Sequence, residues 1–313
     1  MWRLIIAILI VALLAAVPWI GDDLIIHFGI STLLVATLAQ SWNILGGFTG
    51  YVSFGNSVFY GLGTYGTAIA MAQFNQPFWL GLVVGAVLAV VCALVLGLPI
   101  LRLRGPYFAI ATLGLSAAMG AVFANLPIAG ANIGLILPLT RADAMFYELS
   151  LGLLVVCTGV VAWMSRNRFG MALIAIREDE DAADAMGVHT TLYKVLALVL
   201  SALFTAIAGG IHAYWITFID PASAFDLTLN VQMVIMAVFG GPGTVFGPLI
   251  GAFILSVIYE YLSSSISTAA ALVFGIVIVL AVVFMPKGLT DVGRGIRKSG
   301  LRYFLQNIRA HGL

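Results

Sequence analysis

Between Phe78 and Leu101 the chain reads Phe-Trp-Leu-Gly-Leu-Val-Val-Gly-Ala-Val-Leu-Ala-Val-Val-Cys-Ala-Leu-Val-Leu-Gly-Leu-Pro-Ile-Leu, with no charged side chain until Arg102. A helix needs about 20 apolar residues to cross the hydrocarbon layer, and this run has that length. Similar runs lie on both sides of it, at 4–20, 24–45, 53–73, 107–124, 146–164, 194–216, 228–241, 247–262 and 266–285. Together they predict an all-α, polytopic transmembrane helical bundle of about ten spans. The runs at 228–241 and 247–262 are short and interrupted by glycine. Read as broken or re-entrant helices, they would bring the count to about eight or nine.

The composition agrees. Of 313 residues, 62% are hydrophobic and 9% charged, against about 25% charged in a soluble domain. A soluble fold of this size runs out of interior before it hides so much apolar surface, so lipid is the expected surrounding. The net charge of +1 offers nothing to a nucleic acid. Cys92 and Cys157 lie in apolar runs without metal-ligand or C-x-x-C spacing and read as small buried hydrophobes. No metal site and no cofactor is implied. Arg3 and the apolar run after it imitate a secretory leader, but no A-x-A site precedes Asp22. Pro18-Trp19 looks like an interfacial helix end, so the first run is expected to stay as a span.

Lys and Arg set the orientation. With both termini cytoplasmic, the inner segments are the N-terminus, 46–52, 102–106, 165–193 and 286–313. Of the 14 Lys and Arg residues, only Arg141 then falls outside. The outer loops carry Asp22, Asp23, Asp143, Asp220 and Asp226. No polar stretch is long enough to fold separately, so 1–313 is expected to be one membrane domain with an inner loop at 165–193 and a basic tail at 286–313.

That inner loop carries the strongest functional signal. The spacing predicts a short helix over 178–186, with Glu178, Asp179 and Glu180 in the first turn, where the helix dipole favours anions. Gly187 suits the left-handed position after the last turn. Ala182, Ala185 and Met186 fall at i, i+3 and i+4, a narrow apolar stripe on an acidic helix. Such a stripe fits either a partner's groove or a solvated connector.

Asp181-Ala182-Ala183 followed by Gly187 resembles the E-A-A-x-x-x-G loop of ABC importer permeases, with Asp in place of Glu and without the Ile-x-Leu-Pro of its fullest form. A closer resemblance is to the permeases of branched-chain amino-acid ABC importers, M-type subunit. Gly50-Tyr-Val-Ser53-Phe-Gly55-Asn56 through Tyr65 is similar to the glycine-rich early segment of that family, with Asn56 where His is usual. Leu103-Arg104-Gly105-Pro106-Tyr107-Phe108-Ala109 through Leu113 is similar to its R-G-x-Y-F-A-x-x-T-L stretch. Arg177-Glu178-Asp179 with Ala182-Ala183 and Met186-Gly187 resembles its coupling loop. Phe239-Gly240-Gly241-Pro242-Gly243 through Pro248, and Pro286-Lys287-Gly288-Leu289, also match; Gly130 to Leu135 matches with one extra residue. The matches run in order from about residue 40 to 290. The resemblance implies a coupling role toward ATP-binding subunits for Arg177, Glu178, Asp179, Asp181, Ala182, Ala183, Ala185, Met186 and Gly187. It also implies a second permease, two ATP-binding cassette subunits, a periplasmic amino-acid-binding protein, a bacterial inner membrane and no catalytic residue.

Gly46, Gly47, Gly50, Gly55, Gly61, Gly63 and Gly66 crowd one stretch, and Gly240, Gly241, Gly243, Gly247 and Gly251 another. Small residues let membrane helices approach closely. Gly47 to Gly50 and Gly240 to Gly243 are also able to break a helix and free backbone groups to line a path. The candidate path residues are Gln40, Asn43, Gly47, Gly50, Ser53, Asn56, Asn230, Gly240, Gly241 and Gly243; for each polar one, bridging between helices is the alternative. No Lys-Ser/Thr follows a G-x-x-x-x-G, so the chain carries no phosphate loop. Glu148 and Glu260 sit near outer ends, and no acidic residue or His lies at depth to carry a proton. A rival ion-driven carrier therefore lacks its usual residues, as does a membrane-embedded enzyme, and the energy source is expected to be an external ATPase. The resemblance implies leucine, isoleucine or valine as solute, while its relatives also serve other amino acids, short amides and urea.

Overall fold

A computed structural model describes residues 2–140, 142–265, 275, 288 and 289. Apart from those isolated positions, the expected span at 266–285 and the basic tail 286–313 lie outside the described residues, as does Arg141. In chain order the helices are α1 (Trp2–Ala15), α2 (Val17–Ile20), α3 (Asp23–Trp42), α4 (Asn56–Ala72), α5 (Phe78–Ile100), α6 (Pro106–Ala124), α7 (Asp143–Met164), α8 (Arg168–Glu178), α9 (Glu180–Ala185), α10 (Thr190–Ile216), α11 (Pro221–Ala224), α12 (Leu227–Gly240) and α13 (Gly247–Ser265). A π-helical turn, Asn43–Gly47, extends α3. Every expected span up to residue 262 is helical. Among the described residues, 6 helices are long and apolar enough to cross a membrane, and the apolar helices at Leu9–Trp19 and Gly247–Leu262 are shorter.

Burial follows from side-chain size. On α5, Gly81, Gly85, Ala89, Ala93 and Gly97 face inward, while Val83, Val87, Val91, Leu94 and Val95 point away from the bundle. An apolar outward face is stable where the solvent is lipid, and the small inner face lets the next backbone come close. That backbone is α4, the most enclosed helix, with Val58, Tyr65 and Ala68 at 0% exposure. A Cβ on Gly63 would stand 2.0 Å from the Ala206 carbonyl oxygen of α10. One on Gly66 would stand 2.5 Å from Gly85 Cα of α5. Glycines 61, 63 and 66 are therefore packing residues, and α4 is wedged between α5 and α10. A smaller apolar cluster, Ala36, Ala39, Met236, Ala252 and Leu255, joins α3 to α12 and α13.

The two ends of the bundle differ. One gathers the segments around 47–51, 101–104 and 165–190. At the other, β1 (Leu135–Ile136) and β2 (Phe218–Ile219) pair antiparallel, Leu135 opposite Ile219, and Leu137 N–H donates to the Thr217 carbonyl at 2.7 Å. His27 approaches Asp143 at 3.7 Å at this second end. The strand pair is a small addition to the expected all-α fold.

The 165–193 segment departs most from expectation. It is two helices and the start of a third. The expected helix over 178–186 begins instead at Glu180, because Asp179 leaves the helical region (φ −159°, ψ 111°) and its carboxylate caps the Ala182 N–H. Glu178 closes the preceding helix α8. The third expected span starts at Asn56 rather than 53, and the second runs on to Gly47.

Candidate functional site

The segment expected to couple is a capped helical elbow. Asp179 Oδ1 accepts from Ala182 N at 2.9 Å, a side chain replacing a missing backbone acceptor at a helix start. At the other end Gly187 takes φ +86°, and Val188 N returns to the Ala183 carbonyl at 3.0 Å, the closure that a left-handed residue permits. Ala182, Ala185 and Met186 are exposed, Met186 at 85%, whereas Ala183 is buried. The apolar stripe thus faces away from the bundle and Ala183 packs into it.

Behind the stripe, α9 is anchored by charge. Lys194, 2% exposed, donates to Glu180 Oε1 at 2.6 Å, to the Leu101 carbonyl at 3.0 Å and to Tyr51 Oη at 3.1 Å. All three ammonium protons have acceptors. Tyr51 donates its hydroxyl to Glu180 Oε2. Arg104 forms a bidentate pair with Asp181 at 2.9 and 3.0 Å, the guanidinium geometry that suits a carboxylate. Burial by itself pushes the Glu180 carboxyl up, but the hydrogen bonds from Lys194 and Tyr51 and the charges of Lys194 and Arg104 outweigh it and hold the group below its usual range. Arg104 lowers Asp181 in the same way. Burial, then the bond to Glu180, raises the Tyr51 phenol, so it remains a donor.

Tyr51, Arg104 and Lys194 are not assigned to this segment by the sequence, and Glu180 is read there only as a first-turn anion. The available signals were a lysine at the margin of an apolar run and an arginine in the Leu103 to Leu113 stretch. Neither indicates a partner 14 or 77 positions away.

Arg177 turns toward the bundle. Its Nη1 donates to the Gly47 carbonyl at 2.9 Å, and its Cγ lies 3.2 Å from where a Gly50 Cβ would be. Gly47 ends the π-turn, which meets the 241–245 turn between α12 and α13. Asn43 spans the junction, accepting from Gly243 N at 2.7 Å and donating to the Thr244 carbonyl at 3.0 Å. Gln40 Nε2 donates to the Val245 carbonyl at 3.0 Å. A Cβ on Gly47 would lie 1.9 Å from Asn43 Oδ1 and 2.6 Å from Gly243 N, so only glycine allows this approach. Gly50, Gly241 and Gly243 take φ +74°, +122° and +74°, and a Cβ on Gly240 would lie 1.8 Å from the Gly247 carbonyl oxygen. The structure therefore brings Gln40, Asn43, Gly47, Gly50, Gly240, Gly241 and Gly243 to one polar joint.

Ser53, Asn56 and Asn230 lie elsewhere. Trp42 Nε1 donates to the Ser53 carbonyl at 2.8 Å. Asn56 donates to Ser201 Oγ at 3.1 Å. Asn230 accepts from Ser57 N and donates to Ser57 Oγ, both at 2.7 Å. All three are at most 1% exposed and make bonds between chain segments.

Residues 24–282 match the family model described as branched-chain amino acid transport system / permease component. The chain belongs to this permease family. The permease is 27% identical to the high-affinity branched-chain amino acid transport system permease protein LivM of Salmonella typhimurium, over 92% of this chain and 74% of the relative. It is 26% identical to LivM of Escherichia coli K12, over 93% and 75%. It also matches the permease protein LivH of Salmonella typhimurium, 30% identical over 39% of this chain and 40% of that one. The permease is thus an ABC-type, multi-pass membrane component of amino-acid transport, and its family is not itself catalytic.

Proposed function

We propose that the permease is the M-type membrane subunit of an ATP-driven importer of branched-chain amino acids. It assembles with a second permease of the LivH kind, two ATP-binding cassette subunits and a periplasmic amino-acid-binding protein, in a bacterial inner membrane. Both termini are cytoplasmic and the chain crosses about ten times. The clustering of 47–51, 101–104 and 177–181 at one end, opposite the β1–β2 pair, supports that alternation. The observation that carries the coupling reading is the exposed stripe Ala182, Ala185 and Met186 on a helix fixed from behind by Glu180 and Asp181. A helix so placed offers small apolar knobs to a partner groove and passes motion of that partner into the bundle. ATP-driven closure of the partner subunits then alternates access across the membrane.

The permease has no Arg or Lys deeper in a span than Lys194, which sits in the first turns of α10 and is already paired with Glu180, to hold an anion, and no carboxylate pair at depth to hold a cation. A zwitterion needs only helix ends and backbone dipoles. Apolar pockets separate side chains differing by one methylene by only about 1–3 kcal/mol, so fine selection rests with the binding protein. The test is co-purification of the tagged permease with its ATP-binding subunits, followed by Ala182→Arg. Loss of assembly or of uptake is expected, since a long cation cannot enter a groove shaped for a methyl group. Normal uptake by this variant would remove the coupling role of α9.

A further inference from the structure

The joint between the π-turn and the 241–245 turn is held chiefly by side-chain amides. Between α4, α5 and α10 the main contacts are close glycine approaches and apolar packing, which resist gradual displacement, with Asn56 to Ser201 and Thr64 to the Gly209 carbonyl as polar bonds between α4 and α10. Here two segments about 200 positions apart meet through side-chain amides: Asn43 to Gly243 N and to the Thr244 carbonyl, Gln40 to the Val245 carbonyl. Such bonds exchange for water at small net cost when a seam opens. The backbone on both sides is already irregular, a π-turn at 43–47 and left-handed glycines at 241 and 243, so the seam parts without unwinding a regular helix. Gln40 Oε1 is buried at the joint with no hydrogen-bond partner among the described residues, which leaves a polar group at the seam unsatisfied by them.

The joint is also tied to the coupling segment. Arg177, two residues before the α9 cap, donates to the Gly47 carbonyl at 2.9 Å, and its Nη1 lies 2.9 Å from where a Gly243 Cβ would be. A single guanidinium thus reaches both halves of the seam from α8, the helix that leads directly into the stripe-bearing α9. Other buried polar clusters, such as Ser57 with Asn230 and Ser116, Asn56 with Ser201, and Ser41 with Thr205, bond among the spans.

Resting on the coupling role proposed above, we infer that this joint is the inner gate of the permease, and that Arg177 is the positioning residue by which the coupling segment works it. Motion of α8 and α9 shifts the guanidinium. It thereby withdraws or restores the bond to Gly47, and the amide seam of Asn43 and Gln40 opens or closes with it.

Two experiments on the complete reconstituted importer decide this, each reading amino-acid uptake per ATP hydrolysed. Arg177→Met is expected to assemble with the ATP-binding subunits and to lower that ratio at least about tenfold, as expected for losing a hydrogen bond to a charged group. Arg177→Lys should recover part of it. An assembled Arg177→Met importer with the wild-type ratio overturns the assignment. So does loss of assembly, which would place the guanidinium in the partner interface. In the second, Gln40→Cys and Val245→Cys are combined with Cys92→Ala and Cys157→Ala. Oxidation should arrest uptake and reductant should restore it; undiminished uptake by fully cross-linked protein overturns the gate. A wild-type chain that binds no ATP-binding subunit overturns the coupling reading and this one together, and is recognised before any variant is compared.

Discussion

Lys194 and Glu180 stand 2.6 Å apart, one at the start of a long membrane helix and the other in the first turn of α9. Lys194 is enclosed by the Leu101 carbonyl and Tyr51 as well, so the pair fastens α9 to α5, α10 and the segment after the π-turn at once. Lys194→Met leaves Glu180 partly buried with only the longer 3.8 Å contact to Arg104, a change that costs up to about 3–5 kcal/mol. We expect a lower thermal midpoint in detergent and reduced uptake. Glu180→Gln combined with Lys194→Met should recover part of the stability, because no charge is then left alone. A double-mutant cycle reads the coupling, and additive losses would show that the pair does not act as a unit.

The same pair sets a pH dependence. Folding lowers the Glu180 and Asp181 pKa values. Their stabilisation is therefore complete above the ordinary carboxylate range and is lost as pH falls through the lowered, folded-state values. Thermal midpoints of the purified permease should decline on acidification below the ordinary range, and Glu180→Gln should flatten that decline. A variant profile parallel to the wild type would contradict the assignment.

Adjacent alanines should separate folding from docking. Ala183 is 5% exposed and packs inward, whereas Ala182 is exposed. Ala183→Arg buries an unpaired cation and should reduce the yield of folded permease even without partners. Ala182→Arg should leave the isolated permease as stable as wild type, within about 0.5 kcal/mol. Size-exclusion profiles and thermal midpoints of the two variants compare them directly.

Glycines of similar sequence context should also differ. A Cβ on Gly63 meets the Ala206 carbonyl oxygen at 2.0 Å, while one on Gly114 meets nothing within 4 Å. Gly63→Ala should cost about 1–3 kcal/mol or more by forcing α4 away from α10. Gly114→Ala should be neutral within about 0.5 kcal/mol. Equal losses from the two would argue against α4 as the wedged central helix.

Single cysteines test the orientation. Asp184 lies on the exposed surface of the α9 end and Ser223 is exposed at the opposite end. In intact cells an impermeant maleimide should label Ser223→Cys from outside and reach Asp184→Cys only after the membrane is opened. Labelling of both from outside would reverse the proposed topology.

The spans were legible in the sequence because the signal is local. Each apolar residue carries its own transfer free energy between water and lipid, and a run such as Phe78 to Leu101 adds these without reference to any other part of the chain. The capped elbow was legible in part for a similar reason: Gly187 and the stripe Ala182, Ala185 and Met186 depend on neighbours within one or two turns. The start of α9 was placed two residues early, because Asp179 acts as a cap through its side chain rather than as a first-turn anion through its charge. Only the tertiary structure decided what the polar residues do. Asn43 and Gly243 are 200 positions apart, and Arg177 and Gly47 are 130 apart. Hydrogen bonds are directional and act over about 3 Å, so nothing in the residue types shows which pairs come within reach. Lys194 illustrates the division. By sequence it is a basic residue at a span edge, free to extend toward water; the packing of α4, α5 and α10 closes around it and turns it toward Glu180.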